Sequence, residues 1–290
     1  MALTLESTIK LNSGHELPRL GFGVWQTPAD TAKDVVTDAL TNGYRHIDSA
    51  AAYKNEAGCG AAILSSPLPR SSIFFTSKVP ARNLSYEKAR DQVATTLKET
   101  GLDYIDLMLI HAPYGGSAGR KGAWKALVEA VEEGKVRSIG VSNYGVHHLD
   151  ELEKHIAELE AERGGKGKGG VLSVGQWEIH PWLPRNDIVD WCKARGVAVE
   201  AYSPIVRGER WGEKAVVDVA AKYGVTEAQV LLRWSLQKGL VPLPKSVTHE
   251  RILKNAELYG FELTEEEVKA LETEEYSPVC WDPTVSTLED

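Results

Sequence analysis

Short apolar runs alternate along this chain with longer segments whose apolar residues recur every three or four positions. The runs are LGFGVW (20–25), YRHID (44–48), IFFTSK (73–78), YIDLMLIH (104–111), VRSIGVS (136–142), VLSVGQWEI (171–179), VAVEAYS (197–203) and LVPLPK (240–245). Each has the length of a strand and is apolar on both faces, the pattern of parallel strands covered on both sides. DTAKDVVTDALTNG, SYEKARDQVATTLKETG and RKGAWKALVEAVEEG, lying between them, predict amphipathic helices that close on a glycine suited to a C-cap. Two helical segments, EKAVVDVAAKYG and TEAQVLLRWSLQKG, precede the eighth run, and THERILKNAELYG and TEEEVKALETEE follow it. Ahead of the first run, TIKLNSGHELPRL reads as a hairpin turning on Asn12, Ser13 and Gly14.

Eight strand-then-helix units predict an α/β fold: a single (β/α)8 barrel with an N-terminal β-hairpin and a C-terminal tail, one domain over residues 1–290. The competing architecture is a doubly wound open sheet, which usually has fewer strands and needs a GxGxxG fingerprint. GFGVWQ and GCGAAI both lack its last glycine. AERGGKGKGG (161–170), whose Gly/Lys-rich part is 163–170, falls between a helix and the next strand. Barrel topology puts it on the face away from an active site, and it reads as a surface loop without assigned function.

A length of 290 residues suits one such barrel, and a net charge of −8 disfavours nucleic acid as the main partner. Cys59, Cys192 and Cys280 are far apart and form no CxxC pair, which argues against a disulfide framework or a zinc cluster. No metal-ligand spacing is present. MALTLESTIKLNSGH lacks the basic start and apolar core of a signal peptide, and no apolar run nears the roughly 20 residues that span a bilayer. The expectation is a cytoplasmic protein without membrane or nucleic-acid partners, in which nothing demands more than a monomer, a dimer being compatible as well.

Chemistry in such a barrel sits where strands finish at the C-terminal face. The second run finishes at Asp48 with Tyr53 soon after, the third at Lys78 and the fourth at His111. The fifth finishes in Ser142 and Asn143, the sixth carries Gln176, the seventh finishes in Tyr202 and Ser203, and the eighth in Lys245 and Ser246. Singly each has a plain structural explanation: a cap, a snorkelling amine, a packed imidazole. Jointly they make a workable site. A lysine and an aspartate meeting in a semi-buried mouth form an ion pair, because either charge alone is costly there. The Lys78 ammonium beside the Tyr53 hydroxyl is expected to lower the phenol's pKa and make it a usable general acid. His111 can hold a substrate carbonyl oxygen beside that hydroxyl as negative charge develops on it. No nucleophile is on hand, so the reducing equivalent has to come from a cofactor.

Over nearly its whole length the chain resembles the aldo-keto reductases. The stretches that carry the likeness are LPRLGFGVWQT, GYRHIDSAAAYKNE, IFFTSKV, DYIDLMLIHAP, GKVRSIGVSNY, VGQWEIHPWL, VEAYSP and PLPKSVTHERILKN. The resemblance implies the same barrel, hydride transfer from a nicotinamide dinucleotide, and a catalytic set of Asp48, Tyr53, Lys78 and His111 with Tyr53 as proton donor. It further implies that Ser142, Asn143 and Gln176 hold the nicotinamide carboxamide, that Tyr202 stacks on the ring, and that Ser203, Pro204, Ile205 and Arg207 run beside the pyrophosphate. Val24, Trp25, Asp48 and Val247 join the cofactor contacts. Lys245 and Arg251, with Ser246 and Thr248 between them, suit the 2′-phosphate of NADPH through charge-assisted hydrogen bonds. Asn255 is a further cofactor contact so implied, and Lys254 stands just before it where the family often carries glutamate at the adenine. Many members read HWP where this chain has HAPY, so Ala112 would widen a substrate pocket walled by Trp25, Tyr53, His111, Tyr114 and Trp281. A small carbonyl compound is the substrate so implied. A cofactor-binding regulatory or structural protein on the same fold is the alternative, since fold does not fix function.

Overall fold

The computed structural model describes residues 3–82 and 84–290, so Met1 and Ala2 of the expected 1–290 span fall outside the description, as does Asn83. Its first two strands, β1 (Thr8–Lys10) and β2 (Glu16–Pro18), pair antiparallel as the hairpin that the Asn12-Ser13-Gly14 turn predicts. Each of the eight apolar runs then supplies one strand. They are β3 (Phe22–Gly23), β4 (His46–Asp48), β5 (Phe74–Val79), β6 (Ile105–Ile110), β7 (Val136–Ser142), β8 (Leu172–Glu178), β9 (Ala198–Tyr202) and β10 (Val241–Leu243).

These strands lie parallel, in sequence order, in one sheet. The amides of Gly21 and Gly23 donate to the carbonyls of Pro242 and Pro244 at 3.0 and 2.9 Å, which links the first strand to the last and closes the barrel. Pro242 sits inside β10, where its carbonyl still accepts although it has no N–H to give.

Alternation along the strands sorts the core into two bodies. One set of side chains faces the surrounding helices: Phe75 and Val79 of β5, Met108 and Ile110 of β6, Trp177 of β8 and Val199 of β9 join the large outer core. The other set fills the barrel. Phe74, Leu107, Leu109, Val174, Val241 and Leu243 pack there with Leu11 and Leu17 of the hairpin, which therefore plugs the N-terminal end. Two residues further along each strand the inward positions become polar, and they form the floor of the site described below.

Helices α1 (Ala32–Thr41), α2 (Glu56–Ser65), α3 (Tyr86–Thr100), α4 (Gly116–Glu132), α5 (Val146–Glu162) and α6 (Asn186–Lys193) follow β4's predecessor through β8 in turn. Then come α7 (Lys214–Tyr223), α8 (Glu227–Gln237), α9 (His249–Ala256) and α10 (Glu265–Leu271), at the places the periodic segments indicate. Helix α2 has no clear amphipathic stripe because glycine and alanine fill it. The glycines have a packing reason: a Cβ on Gly60 would stand 2.2 Å from the Thr100 carbonyl oxygen at the end of α3. The 161–170 segment joins α5 to β8, and its Gly169 carbonyl accepts from the buried Trp124 indole at 2.8 Å. Among the described residues no helix is long and apolar enough to cross a membrane.

Replacing Gly60 by alanine forces α2 off α3, and overpacking of this kind costs about 1–3 kcal/mol. Thermal unfolding of Gly60→Ala should show a Tm several degrees lower; an unchanged Tm contradicts the contact.

Candidate active site

At the C-terminal mouth of the barrel, the inward positions of neighbouring strands converge on one ammonium group. Lys78, fully buried near the end of β5, sends its Nζ to both carboxylate oxygens of Asp48 at 2.8 and 2.9 Å and to the Ser49 carbonyl at 2.7 Å. The Tyr53 hydroxyl lies 3.5 Å from the same nitrogen. Tyr53 reaches it because Ala51–Tyr53 form a single 3-10 turn immediately after β4. That turn is tied down by Asn55, whose amide donates to the Val24 and Thr27 carbonyls at 2.8 and 3.1 Å and accepts from Ser49 Oγ at 2.8 Å.

Burial works against the Lys78 charge, but Asp48, joined by Tyr53 and Glu200, outweighs it and holds the amine above the ordinary lysine value. For Tyr53 the outcome differs from the sequence expectation. Enclosure in the mouth raises the phenol's pKa, and the opposing pull of Lys78 does not cancel it. The hydroxyl is therefore held in its protonated form, the form that has a proton to give. His111 packs edge-on against Tyr53 with ring centroids 5.7 Å apart. Burial, reinforced by the Lys78 charge, lowers its pKa to about 3. It is a neutral imidazole at pH 7, able to donate one hydrogen bond without bringing a second cation.

Gln176 of β8 completes the floor. Its Nε2 donates to Asp48 Oδ2 at 2.8 Å and to Glu200 Oε2 at 2.7 Å. Beside it, Asn143 Nδ2 donates to the His111 carbonyl at 2.9 Å and to Ser142 Oγ at 3.0 Å, while its Oδ1 accepts from the Tyr202 hydroxyl at 2.8 Å.

Above this floor opens a cavity of about 930 Å³. Asp48, Tyr53, His111, Asn143, Gln176 and Tyr202 line its base, and Trp25, Ser203, Pro204, Ile205, Arg207, Lys245, Arg251 and Trp281 its walls. Gln26, Asn143, Ser203 and Arg207, all on this lining, have φ between 47° and 62°. Non-glycine residues in that left-handed region are uncommon and tend to gather at functional sites.

Other residues singled out in the sequence lie behind the lining. Val24 and Ala112 are outward positions flanking inward ones and are fully buried. Ser142 is also fully buried, with its hydroxyl donated to the Gln176 carbonyl at 2.9 Å. Tyr114 does not line the cavity but packs against Trp281, ring centroids 6.0 Å apart. Ser246 accepts from the Thr248 amide at 3.0 Å, Asn255 is buried, and Val247 is 52% exposed. Lys78 itself lies behind the lining, in contact with Asp48 and Tyr53, which do line the cavity.

The tail is docked over the cavity. The Val279 and Cys280 amides donate to the Glu178 carboxylate at 2.7 and 3.1 Å, and Arg185 pairs with Asp282 at 2.9 Å. This sets Trp281 edge-on to His111, centroids 5.9 Å apart. Neither Glu178 nor Glu200 was marked in the sequence. The signal was a lone acid inside an apolar run at an inward position.

The walls fit a dinucleotide phosphate. Lys245 is half-buried at the rim, its pKa lowered by that burial, and neither it nor Arg251 has an acidic partner among the described residues. Arg207 stacks over the Trp25 ring at 5.0 Å and donates to the Val279 carbonyl at 3.1 Å. Unpaired cations around one cleft in an acidic chain suit a polyanionic ligand. Among the described residues no group of three or more His, Cys, Asp or Glu side chains is placed to hold a metal ion.

A closed parallel barrel with Lys78, Asp48, Tyr53 and His111 gathered at its mouth is the pattern to set beside known proteins. The Aldo/keto reductase family profile matches residues 19–215 and 209–274. The glyoxal reductase of Bacillus subtilis is 40% identical over 273 residues, 94% of each chain. The methylglyoxal reductase DkgA of Escherichia coli is 37% identical over 264 residues, 90% of this chain and 91% of that one. The crystal structure of an aldo-keto reductase from a Medee basin deep-sea metagenome library superposes with a TM-score of 0.83 at 36% identity, covering 91% of this chain and 93% of the other. The chain belongs to the aldo-keto reductase family and is an oxidoreductase of that family.

His46 and His111, the imidazoles nearest Lys78, make the site's electrostatics testable. Burial, with Lys78 adding to it, lowers His46 to about 3, as it does His111, against the usual 6.5. Both depressed values mean that the unfolded chain takes up protons the folded one refuses. The stability they contribute is complete above about pH 6.5 and is lost as pH falls toward 3. Ring resonances of both in NMR should stay constant from about pH 8 to pH 5. A midpoint near 6.5 for either one contradicts the geometry.

Proposed function

We propose that the protein reduces aldehydes or ketones to alcohols with NADPH, with Tyr53 as the proton donor. The observation that carries this is the Lys78 ammonium, held by Asp48 and set against the Tyr53 hydroxyl at the base of the cavity. Bound in the cavity, reduced nicotinamide would supply the hydride. His111 Nε2–H would hold the carbonyl oxygen beside Tyr53, in line with its neutral state. As hydride reaches the carbonyl carbon, negative charge builds on that oxygen, and the Tyr53 proton moves onto it. Lys78 stabilises the phenolate left behind, and Asp48 keeps Lys78 in place and charged. A neutral phenol poised beside an ammonium suits this order of events better than a preformed phenolate would.

On the cofactor side, Gln176 and Asn143 would hold the carboxamide and Tyr202 the ring, with Ser142 behind them. Lys245 and Arg251 would take the 2′-phosphate that distinguishes NADPH from NADH. Trp25 and Trp281 would wall the substrate. The glyoxal and methylglyoxal reductases among the relatives make small dicarbonyls the first substrates to assay. The protein would then act in the cytoplasm as a monomeric, single-domain enzyme on small carbonyl compounds.

Tyr53→Phe should bind NADPH as the wild type does, by fluorescence titration, and lose at least about a hundredfold of methylglyoxal reduction, the scale of a removed general acid. A fully active variant excludes the proposed proton donor. Lys245→Ala and Arg251→Ala should each weaken NADPH by about 1.5–3 kcal/mol, the usual worth of a charged hydrogen bond, and leave NADH affinity unchanged. Equal losses for the two nucleotides would rule out the 2′-phosphate contact.

A further inference from the structure

Beneath the site, the barrel interior contains a second carboxyl group that the proposed chemistry does not use. Glu200 points inward from the middle of β9 and is completely buried. Its Oε2 accepts one proton of the Gln176 amide at 2.7 Å, and the other goes to Asp48 Oδ2 at 2.8 Å. Its Oε1 has no hydrogen-bond partner, the nearest candidate being His46 Nε2 at 3.6 Å.

This geometry has two consequences. With both protons of the Gln176 nitrogen committed, the amide is fixed as a donor toward the barrel interior. Its Oε1 is left to face the cavity that Gln176 lines. An amide held by one bond could swing about its terminal torsion, which is broad and weakly restrained; two opposed acceptors on one nitrogen remove that freedom.

The charged and titratable groups facing Glu200 are few. From β4 come His46 and Asp48, and from β5 comes Lys78; β10 sets apolar Val241 level with it. Lys78 spends its hydrogen bonds on Asp48, Ser49 and Tyr53 and gives none to Glu200. Two carboxylates on one amide nitrogen with a single ammonium between them cannot both ionise cheaply in a dry interior. Burial and the Asp48 charge accordingly raise the Glu200 pKa. As a carboxylic acid it still offers a carbonyl oxygen to Gln176, without adding a charge to the floor.

We propose that Glu200 is a positioning residue for the nicotinamide end of the cofactor, acting through Gln176 by fixing which atom of that amide faces the carboxamide. This rests on the NADPH reading above. It requires that Glu200 serve as an acceptor, not as a charge, and that its influence stop short of the phosphate end.

The test measures two ligands, NADPH and adenosine 2′,5′-bisphosphate, the latter carrying the 2′-phosphate and no nicotinamide. Glu200→Met has the same reach and no acceptor; Glu200→Gln keeps an acceptor oxygen and cannot ionise. Glu200→Met lets the amide turn over, and the hydrogen bond then lost between Gln176 and the carboxamide corresponds to about a tenfold weakening of NADPH. Its bisphosphate affinity should match the wild type, which also reports that the variant is folded. Glu200→Gln should restore NADPH binding to within about threefold, well short of that loss. The inference is overturned if Glu200→Met binds NADPH like the wild type, if it loses both ligands together, or if Glu200→Gln is as weak as Glu200→Met. A wild type that binds neither ligand overturns the NADPH reading and this inference with it. Normal wild-type binding with indifferent variants overturns this inference alone.

Discussion

A lysine with no exposed surface is the constraint around which the mouth of this barrel is organised. An ammonium group cannot remain charged in an apolar interior without partners, and Lys78 is surrounded by three kinds: a carboxylate, a carbonyl and a phenol. Removing one partner of such a pair typically costs about 3–5 kcal/mol, whereas replacing the whole pair by apolar groups can be neutral. Stability alone therefore gives little reason to bury Lys78 and Asp48. What the pair adds is a fixed positive charge against one hydroxyl, which is the property the proposed chemistry needs.

Much of the remaining architecture can be traced to keeping that charge in place. The hairpin residues Leu11 and Leu17 seal the far end of the barrel, so the interior beneath the site, Glu200 and His46 included, is closed off by hydrocarbon. Asn55 fixes the turn that carries Tyr53. Gln176 ties Asp48 to the opposite side of the barrel, and the tail, held by Glu178 and Arg185, sets Trp281 against His111. These contacts come from separate strands and loops, and the closed ring of strands brings them to one face.

The strands and the inward-facing polar ends were legible because period-two alternation is a local signal that persists to each strand's last residue. The same rule, carried one residue further, explains why Val24 and Ala112 sit behind the cavity: each is an outward neighbour of an inward position. Helix α2 was not legible, since its Gly60 answers to Thr100, forty residues away, and its Gly58 to Ala32, and they leave no stripe. The net effect on Tyr53 was also out of reach. The sign of Lys78's influence follows from residue types, but its size against burial depends on how deeply the ring is enclosed. The tail was illegible for a similar reason, because it is held by Glu178 and Arg185, whose availability only the folded barrel determines.

The central claim is that the charge on Lys78 acts on the Tyr53 hydroxyl, and the most direct measurement is the tyrosine titration itself. Proteins labelled with 13C at tyrosine Cζ can be followed by NMR against pH in the wild type and in Lys78→Met. If the ammonium opposes the effect of burial, the Tyr53 phenol ionises at a higher pH in Lys78→Met than in the wild type. The same ionisation pH in both proteins would contradict the account.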